Sequence, residues 1–312
     1  MLSKAEKKSQ RNAYGVKLVE LGGRYKELVV LEADLSKSTM GTKFESAYPE
    51  RFFEMGIAEA DMASAAAGLA IRGKIPFMGS FAVFSSGRCY DQIRTSVCIP
   101  ALNVKICGSS AGLSDYGDGS THQSIDDIAI MRVLPNMQVF VPADASETER
   151  IMEYMAANKG PMYLRVNRND LPELTTEEFV PGKVYVMREG SDAAVFAQGV
   201  MLSLAIEAAE ELEKEGVSVM VVNVPSVKPL DADAVAQLCA SVRGVVTAEE
   251  HSIYGGMGSA IAEAVSERLA VKIKRVGVED SFGTSGENYD VLLKKYGLTA
   301  EHIAESVRAV LA

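Results

Sequence analysis

The chain has 312 residues, of which 47% are hydrophobic and 24% charged, with a net charge of -10 at pH 7. That length supports about two domains with real cores, and the composition excludes a disordered chain. The negative balance argues against a nucleic-acid or anionic-membrane surface, no apolar run reaches the roughly 18 residues of a membrane span, and the polar start MLSKAEKKSQRNAYG lacks an apolar signal core, so a cytoplasmic location is expected.

In chain order, KELVVLEAD (26–34), KIPFMGS (74–80), NVKICGS (103–109), MQVFVPAD (137–144) and PMYLRV (161–166) are short runs rich in Val, Ile and aromatics. Between them lie segments with helical spacing, such as SETERIMEYMAAN. Short buried strands alternating with helices predict a mostly parallel sheet covered on both faces. Residues 167–188 are polar and proline-containing and read as a linker with one strand. The theme then repeats: DAAVFAQG, VSVMVVNV, RGVVTAEE and VKIKRVGVE alternate with AIEAAEELEKEG, GGMGSAIAEAVSERL and EHIAESVRAVLA. The fold class expected is therefore α/β, with two doubly wound domains: a first over residues 1–170, a linker over 171–190, and a smaller second over 191–312.

Asp34, Ser80, Phe81, Ser109, Ser110, Asp144 and Arg168 all fall at the carboxyl ends of predicted strands in the first domain. In an open parallel sheet that edge is where ligands bind. The stretch FFEMGIAEADMASAAAGLAIRGK (52–74) adds a helix rich in Ala, with Ser64 and Gly68 four apart, whose backbone a partner can approach closely. Glu59 would open this helix, where a carboxylate is favoured. It reads either as an ordinary acidic first turn or, with Met55, Ile57 and Ala58 around it, as a buried carboxyl tuned for proton transfer. Glu54 and Asp61 read as solvated or capping charges, and Tyr90, Asp91 and Gln92 as helix and interface residues. Ser124 and Asp127 have the spacing of a capping box, which leaves Asp118 and His122 in the loop before it. YGGMGSA (254–260) reads as a close-packed helix entrance, and Glu249, Glu250 and His251 as structural residues after a strand. Cys89, Cys98, Cys107 and Cys239 form no CxxC pair and read as buried free thiols, so no metal site is expected in this chain.

FFEMGIAEADMASAAAGLA, PFMGSFAVFSSGRCYDQIR, GDGSTHQSIDDIAIMRVLPNMQVFVPAD and LRVNRNDLPEL, in that order, resemble the pyrimidine-binding domain of transketolase followed by its C-terminal domain, over nearly the whole chain. The family's diphosphate-binding domain, with its GDG and asparagine magnesium motif, has no counterpart: GDG at 117–119 is followed by PADASE where that motif needs asparagines. The resemblance thus implies the C-terminal subunit of a split transketolase. Such a subunit moves a two-carbon ketol unit from a ketose, expected to be phosphorylated, to an aldose. It does so with thiamine diphosphate and Mg2+, the diphosphate and metal being held by a separate N-terminal subunit, in a 2+2 heterotetramer with the cofactors at subunit interfaces.

By this resemblance Glu59 is the carboxyl that meets the cofactor's aminopyrimidine, Phe81 and Phe84 stack on its ring, Arg88 stacks nearby, and Asp34 is a cofactor-site neighbour. His122 contacts the substrate oxygen and Asp118 a substrate hydroxyl, while Arg11, Ser38 and Arg168 fall on positions that contact the sugar phosphate. Ser110 stands where related split subunits have a channel histidine, and Asp115 and Tyr116 are inserted nearby, so donor and acceptor stay open. The alternatives are a non-catalytic assembly or regulatory partner of the same fold, or another thiamine activity such as that of deoxyxylulose-phosphate synthase or the beta chains of 2-oxo-acid dehydrogenases. Glu59, both phenylalanines, Asp118 and His122 weigh against the first, and THQSIDD and NRNDLPEL against the second.

Overall fold

The computed structural model describes residues 5–312, and the MLSK that opens the polar start lies outside the described residues. In chain order the strands are β1 (Lys7–Ser9), β2 (Leu28–Glu32), β3 (Phe52–Glu54), β4 (Ile75–Phe81), β5 (Lys105–Ser109), β6 (Gln138–Phe140), β7 (Met162–Arg165), β8 (Asp170–Pro172), β9 (Tyr185–Arg188), β10 (Ala193–Ala197), β11 (Val219–Asn223), β12 (Ser226–Lys228), β13 (Gly244–Ser252) and β14 (Lys272–Val278). Each apolar run named above is one of them.

Two α/β layers result, as expected. The first sheet has the order β12-β6-β7-β5-β4-β2-β3 and the second β14-β13-β10-β11-β9. Pairing is parallel throughout except at the edges β12 and β9, which run antiparallel to their neighbours. Strands β2, β5 and β7 are buried at every residue because helices cover both faces. Along β2, Leu28 and Val30 join the apolar cluster under the helix Gln10–Arg24, while Val29 and Leu31 join the one under the helix Glu59–Ile71. That second cluster continues through Val139 and Val141 to Phe196, Met220 and Val222, so one apolar core runs through both layers.

The sequence misjudged the connections. The polar segment carries two short strands, not one: β8 pairs with β1, and β9 joins the second sheet. Residues 226–228, assigned by sequence to the second domain, add strand β12 to the first sheet beside β6. Buried Val227 and the bond from the Val141 N–H to the Pro225 carbonyl draw them there.

Charged groups also sit inside. In β2, Glu32 is fully buried; its Oε1 accepts from the Thr39 hydroxyl at 2.8 Å and its Oε2 has no partner among the described residues. Gly41 and Gly79 provide the space, since a Cβ at either would stand 2.5 or 2.7 Å from Oε1. Burial pushes the Glu32 carboxyl up to about 8, against the lowering effect of the Thr39 bond. Glu147 is pushed up to about 8 and Glu250 to about 7, burial again being the main cause.

These carboxyls keep a proton in the folded chain that the unfolded chain releases near its ordinary value of 4.5. The folded state therefore binds more protons between pH 4.5 and 7, and its stability falls as pH rises through that window. Urea unfolding at pH 5 and pH 7 is expected to show the loss, and Glu32→Gln to reduce it by about 1–3 kcal/mol. An unchanged pH slope in the variant would remove Glu32 as a cause.

Candidate active site

The carboxyl edge of the first sheet gathers two groups of the residues singled out by sequence. The first is built on the turn after β4 and on the start of the helix Glu59–Ile71. Glu59 opens that helix and is only 4% exposed, although its N-cap, Ala58, offers no side chain. The chain after β4 coils into a wide π-helical segment, Val83–Arg88, which turns Phe84 and Arg88 back toward Glu59. Phe81 and Phe84 lie nearly parallel, with centroids 6.2 Å apart and planes 12° from each other. The His122 ring meets both edge-on, at 6.2 and 5.3 Å. Glu59, Phe81, Phe84, Arg88 and His122 are thus brought together.

Arg88 departs from the expectation of a free stacking group. Its guanidinium lies 4.1 Å above the Phe84 ring and donates to Glu59 Oε1 at 3.0 Å. Nor is Glu59 enclosed by Met55, Ile57 and Ala58: Ile57 is 74% exposed. A carboxylate this buried needs a partner, and the cation supplies it.

The second group surrounds Arg168, just beyond β7. Arg11 Nη1 donates to the Ser38 carbonyl at 2.8 Å and Arg11 Nε to the Arg168 carbonyl at 3.2 Å, so Arg11, Ser38 and Arg168 converge. Arg168 Nη1 donates to Asp115 Oδ2 at 2.7 Å. Burial pushes the Asp115 carboxyl up, with Arg168 opposing, and Asp118 and His122 are also within its electrostatic reach. The two groups therefore share one edge. Asp34 stands outside both by contact: it is exposed, in the left-handed region at φ 57°, with its backbone N–H bound by Glu54 Oε1 at 2.7 Å. Glu54 also accepts from the Gly56 N–H at 3.2 Å, so it caps the turn leading to Glu59.

The segment behind His122 is anchored differently from its sequence pattern. Ser124 and Asp127 form no capping box; the helix Asp127–Arg132 has Asp126 as N-cap, without a side-chain bond. The Asp127 carboxylate is instead taken by Arg165 Nε at 2.9 Å and the Tyr163 hydroxyl at 2.8 Å, both from β7, because a buried guanidinium outcompetes a helix N–H for it. Arg165 also donates to the carbonyls of Ser124 and Glu250. The Glu250 carboxyl group in turn accepts from the Leu113 N–H at 2.8 Å and from Asn167 Nδ2 at 3.3 Å. His251 Nε2 accepts from the Ala129 N–H. Glu249 accepts from the Met257 and Gly258 N–H groups at 2.7 and 2.8 Å, and a Cβ on Gly256 would stand 2.2 Å from its Oε2. Gly256 and Gly258 of YGGMGSA leave the room that Glu249 occupies, while Gly255 lies against Ala129. PADASE has a structural use as well: Asp144 caps the helix Ala145–Ala157 through the Glu147 N–H and accepts from Leu174 and Thr175.

The site's residues fit a flat, polar heterocycle. Two nearly parallel rings and a buried carboxylate stand beside the ends of β4 and β5, where the hydroxyls of Ser80, Ser85, Ser109 and Ser110 are buried without partners. Ser110 is held at φ 51°, a strained conformation for a residue with a side chain. The small face of the helix Glu59–Ile71 looks outward: Ser64 and Gly68 are exposed, while Met62, Ala63, Ala66 and Ala67 pack inward. Sequence reasoning missed the pairing of Asp115 and gave Arg165 no role. A charge inside the apolar run PMYLRV was the available signal.

Comparison with known proteins agrees with the motifs. The transketolase pyrimidine-binding domain matches residues 6–173, and the transketolase C-terminal domain matches residues 182–303. The "Putative transketolase C-terminal section" of Methanocaldococcus jannaschii is 43% identical over 96% of this chain and 95% of its own length. The 6-deoxy-6-sulfo-D-fructose transketolase subunit of a Clostridium species is 40% identical over 98% of this chain and 96% of its own. A solved structure described as "Split gene transketolase, inactive beta4 tetramer" superposes with a TM-score of 0.88 at 46% identity, covering 97% of this chain and 98% of that one.

The anchoring of the His122 segment leads to a measurable expectation. Asp127→Ala removes the carboxylate that hydrogen-bonds buried Arg165 and leaves it only Glu250, 4.0 Å away, which costs about 3–5 kcal/mol in chemical denaturation. A loss below about 1 kcal/mol would mean that this pair does not hold the edge together.

Proposed function

The chain belongs to the transketolase family, and on that premise we propose that it is the C-terminal subunit of a two-chain transketolase, carrying the pyrimidine half of a shared active site. The observation that carries this reading is the convergence of Glu59, Phe81, Phe84 and His122 at one sheet edge. It weighs against a non-catalytic partner, which would have no need to bury a carboxylate beside two parallel rings. Similarity to a C-terminal section and to a split-gene structure along nearly their full lengths supports the division into two chains.

When bound, thiamine diphosphate supplies the electron sink that lets a carbon-carbon bond beside a carbonyl break, which no side chain can do alone. In this assignment Glu59 shares a proton with a ring nitrogen of the aminopyrimidine, while Phe81 and Phe84 hold the ring by its faces and exclude water. Arg88, already flat on Phe84, extends that apolar wall and neutralises Glu59 until the ring is seated. His122 donates to the substrate oxygen on which charge develops. Asp118, exposed at the loop tip, accepts from a substrate hydroxyl, and Arg11, Ser38 and Arg168 receive the distal end of the sugar. Asp34 borders the cofactor from the end of β2. Diphosphate and Mg2+ belong to the separate N-terminal subunit with its GDG and asparagine motif, in an assembly of two copies of each chain. The exposed small residues Ser64 and Gly68, flanked by exposed Ile57 and Ile71, support a close subunit contact on this side.

The purified chain alone is expected to show no ketol transfer. Mixing it with the GDG-bearing subunit, thiamine diphosphate and magnesium restores activity, and turnover by the isolated chain would overturn the two-chain reading. In the complex, Glu59→Gln lowers kcat by roughly 10²–10⁴-fold, with assembly unchanged by size-exclusion chromatography. An unaltered exchange rate of the cofactor's C2 proton would rule out the role given to Glu59.

A further inference from the structure

Resting on the transketolase reading, we infer that Asp115 is a specificity-determining residue that sets the Arg11–Arg168 subsite for sugars whose distal end carries at most one negative charge. The pairing is built in, not incidental. Asp115 has a side chain only 3% exposed, with Oδ2 2.7 Å from Arg168 Nη1. The carboxylate is enclosed on a loop whose next charged residue, Asp118, lies within its electrostatic reach. The loop is fixed on the other side too, where the Ser114 hydroxyl accepts from the Arg168 N–H at 3.3 Å and the Asn169 amide reaches the Ser114 carbonyl at 3.4 Å.

Charge accounting at the subsite points the same way. Arg11 is within electrostatic reach of Arg168, Asp115 and Asp170, and Asp115 of Asp118. Two guanidinium groups and the His122 ring therefore lie among three carboxylates. Arg11 directs Nε and Nη1 at backbone carbonyls, so part of its fork is already used by the chain. A phosphate dianion arriving here meets an anion already on Arg168, fixed by burial at a distance where like charges repel strongly. A neutral hydroxyl meets no such opposition and a single negative charge about half of it, and either accepts hydrogen bonds from the free edge of Arg168, which is 35% exposed. Ser110, at the neighbouring strand end, brings a hydroxyl and no positive charge.

Two measurements test this. In the assembled complex, kcat/KM is compared for ribose 5-phosphate and ribose as acceptors with the parent chain and with Asp115→Asn, which keeps the shape and removes the charge. The phosphate preference is expected to rise by about tenfold or more in the variant, the equivalent of one lost repulsive charge, with the gain confined to the phosphorylated sugar. Equal changes for both sugars would mean that Asp115 only positions the loop, and a strong preference for ribose 5-phosphate in the parent would overturn the proposal. Inorganic phosphate titrated into the isolated chain, followed by phosphorus NMR, decides independently of catalysis. Asp115→Asn is expected to bind it about tenfold tighter than the parent, and Asp115→Asn with Arg168→Ala to lose the gain. No gain in the single variant, or a gain that survives removal of Arg168, would overturn the assignment. Absence of ketol transfer by the parent complex would instead count against the transketolase reading and leave the phosphate titration to judge Asp115.

Discussion

The guanidinium of Arg165 is the contact on which the rest of the site depends. Rising from the end of β7 into a fully enclosed position, it binds the Asp127 carboxylate, the Ser124 carbonyl and the Glu250 carbonyl. Those three groups belong to the helix Asp127–Arg132, to the loop between His122 and that helix, and to the second sheet. One cation thereby fixes the first sheet, the His122 loop and the second domain to each other. A buried ion pair of this kind adds little net stability over an apolar contact of the same size, but leaving either half unpaired is costly. Its effect is to specify a single arrangement.

Around that anchor, the site is assembled by placing charges where burial makes them expensive and then giving each a neighbour. Glu59 has Arg88, Asp115 has Arg168, and Glu250 has the Leu113 N–H and Asn167. Glu32 and Glu147 lie deeper and are held as neutral acids by the same burial. The aromatic group lies beside the Glu59–Arg88 pair, and the buried hydroxyls of Ser80, Ser109 and Ser110, at the ends of β4 and β5, have no partner among the described residues. The polarity of the edge is therefore uneven, with charge matched and neutral donors left over, and this suits a ligand rich in nitrogen and hydroxyl groups.

Much of this was legible in the sequence, and what failed did so for definite reasons. Strands β2, β4, β5, β6 and β7 were visible because burial on both faces demands continuous apolar runs, and KELVVLEAD or NVKICGS can be little else. The edge strands β1, β3, β8, β9 and β12 are mostly three or four residues long and partly exposed, so periodicity has too little length to register them. Family motifs located Glu59, Phe81, Phe84 and His122. They could not reveal that Arg88 would turn onto Glu59, since that depends on the wide coil of residues 83–88. The S-x-x-D spacing at Ser124 suggested a cap, but a residue in the first turn follows the strongest nearby charge, and Arg165, 38 positions away along the chain, supplies it. Local spacing carries no information on such a contact.

Gly68 has nothing within 4 Å of where a side chain would begin, and it faces outward from a helix whose inner side is fully packed. Within its own polypeptide that residue is under no steric demand, and alanine there would even favour the coil it belongs to. Any pressure to keep the position bare must come from outside the molecule. Tolerance to bulk at this one site thus distinguishes what the monomer requires for folding from what a neighbour requires for docking.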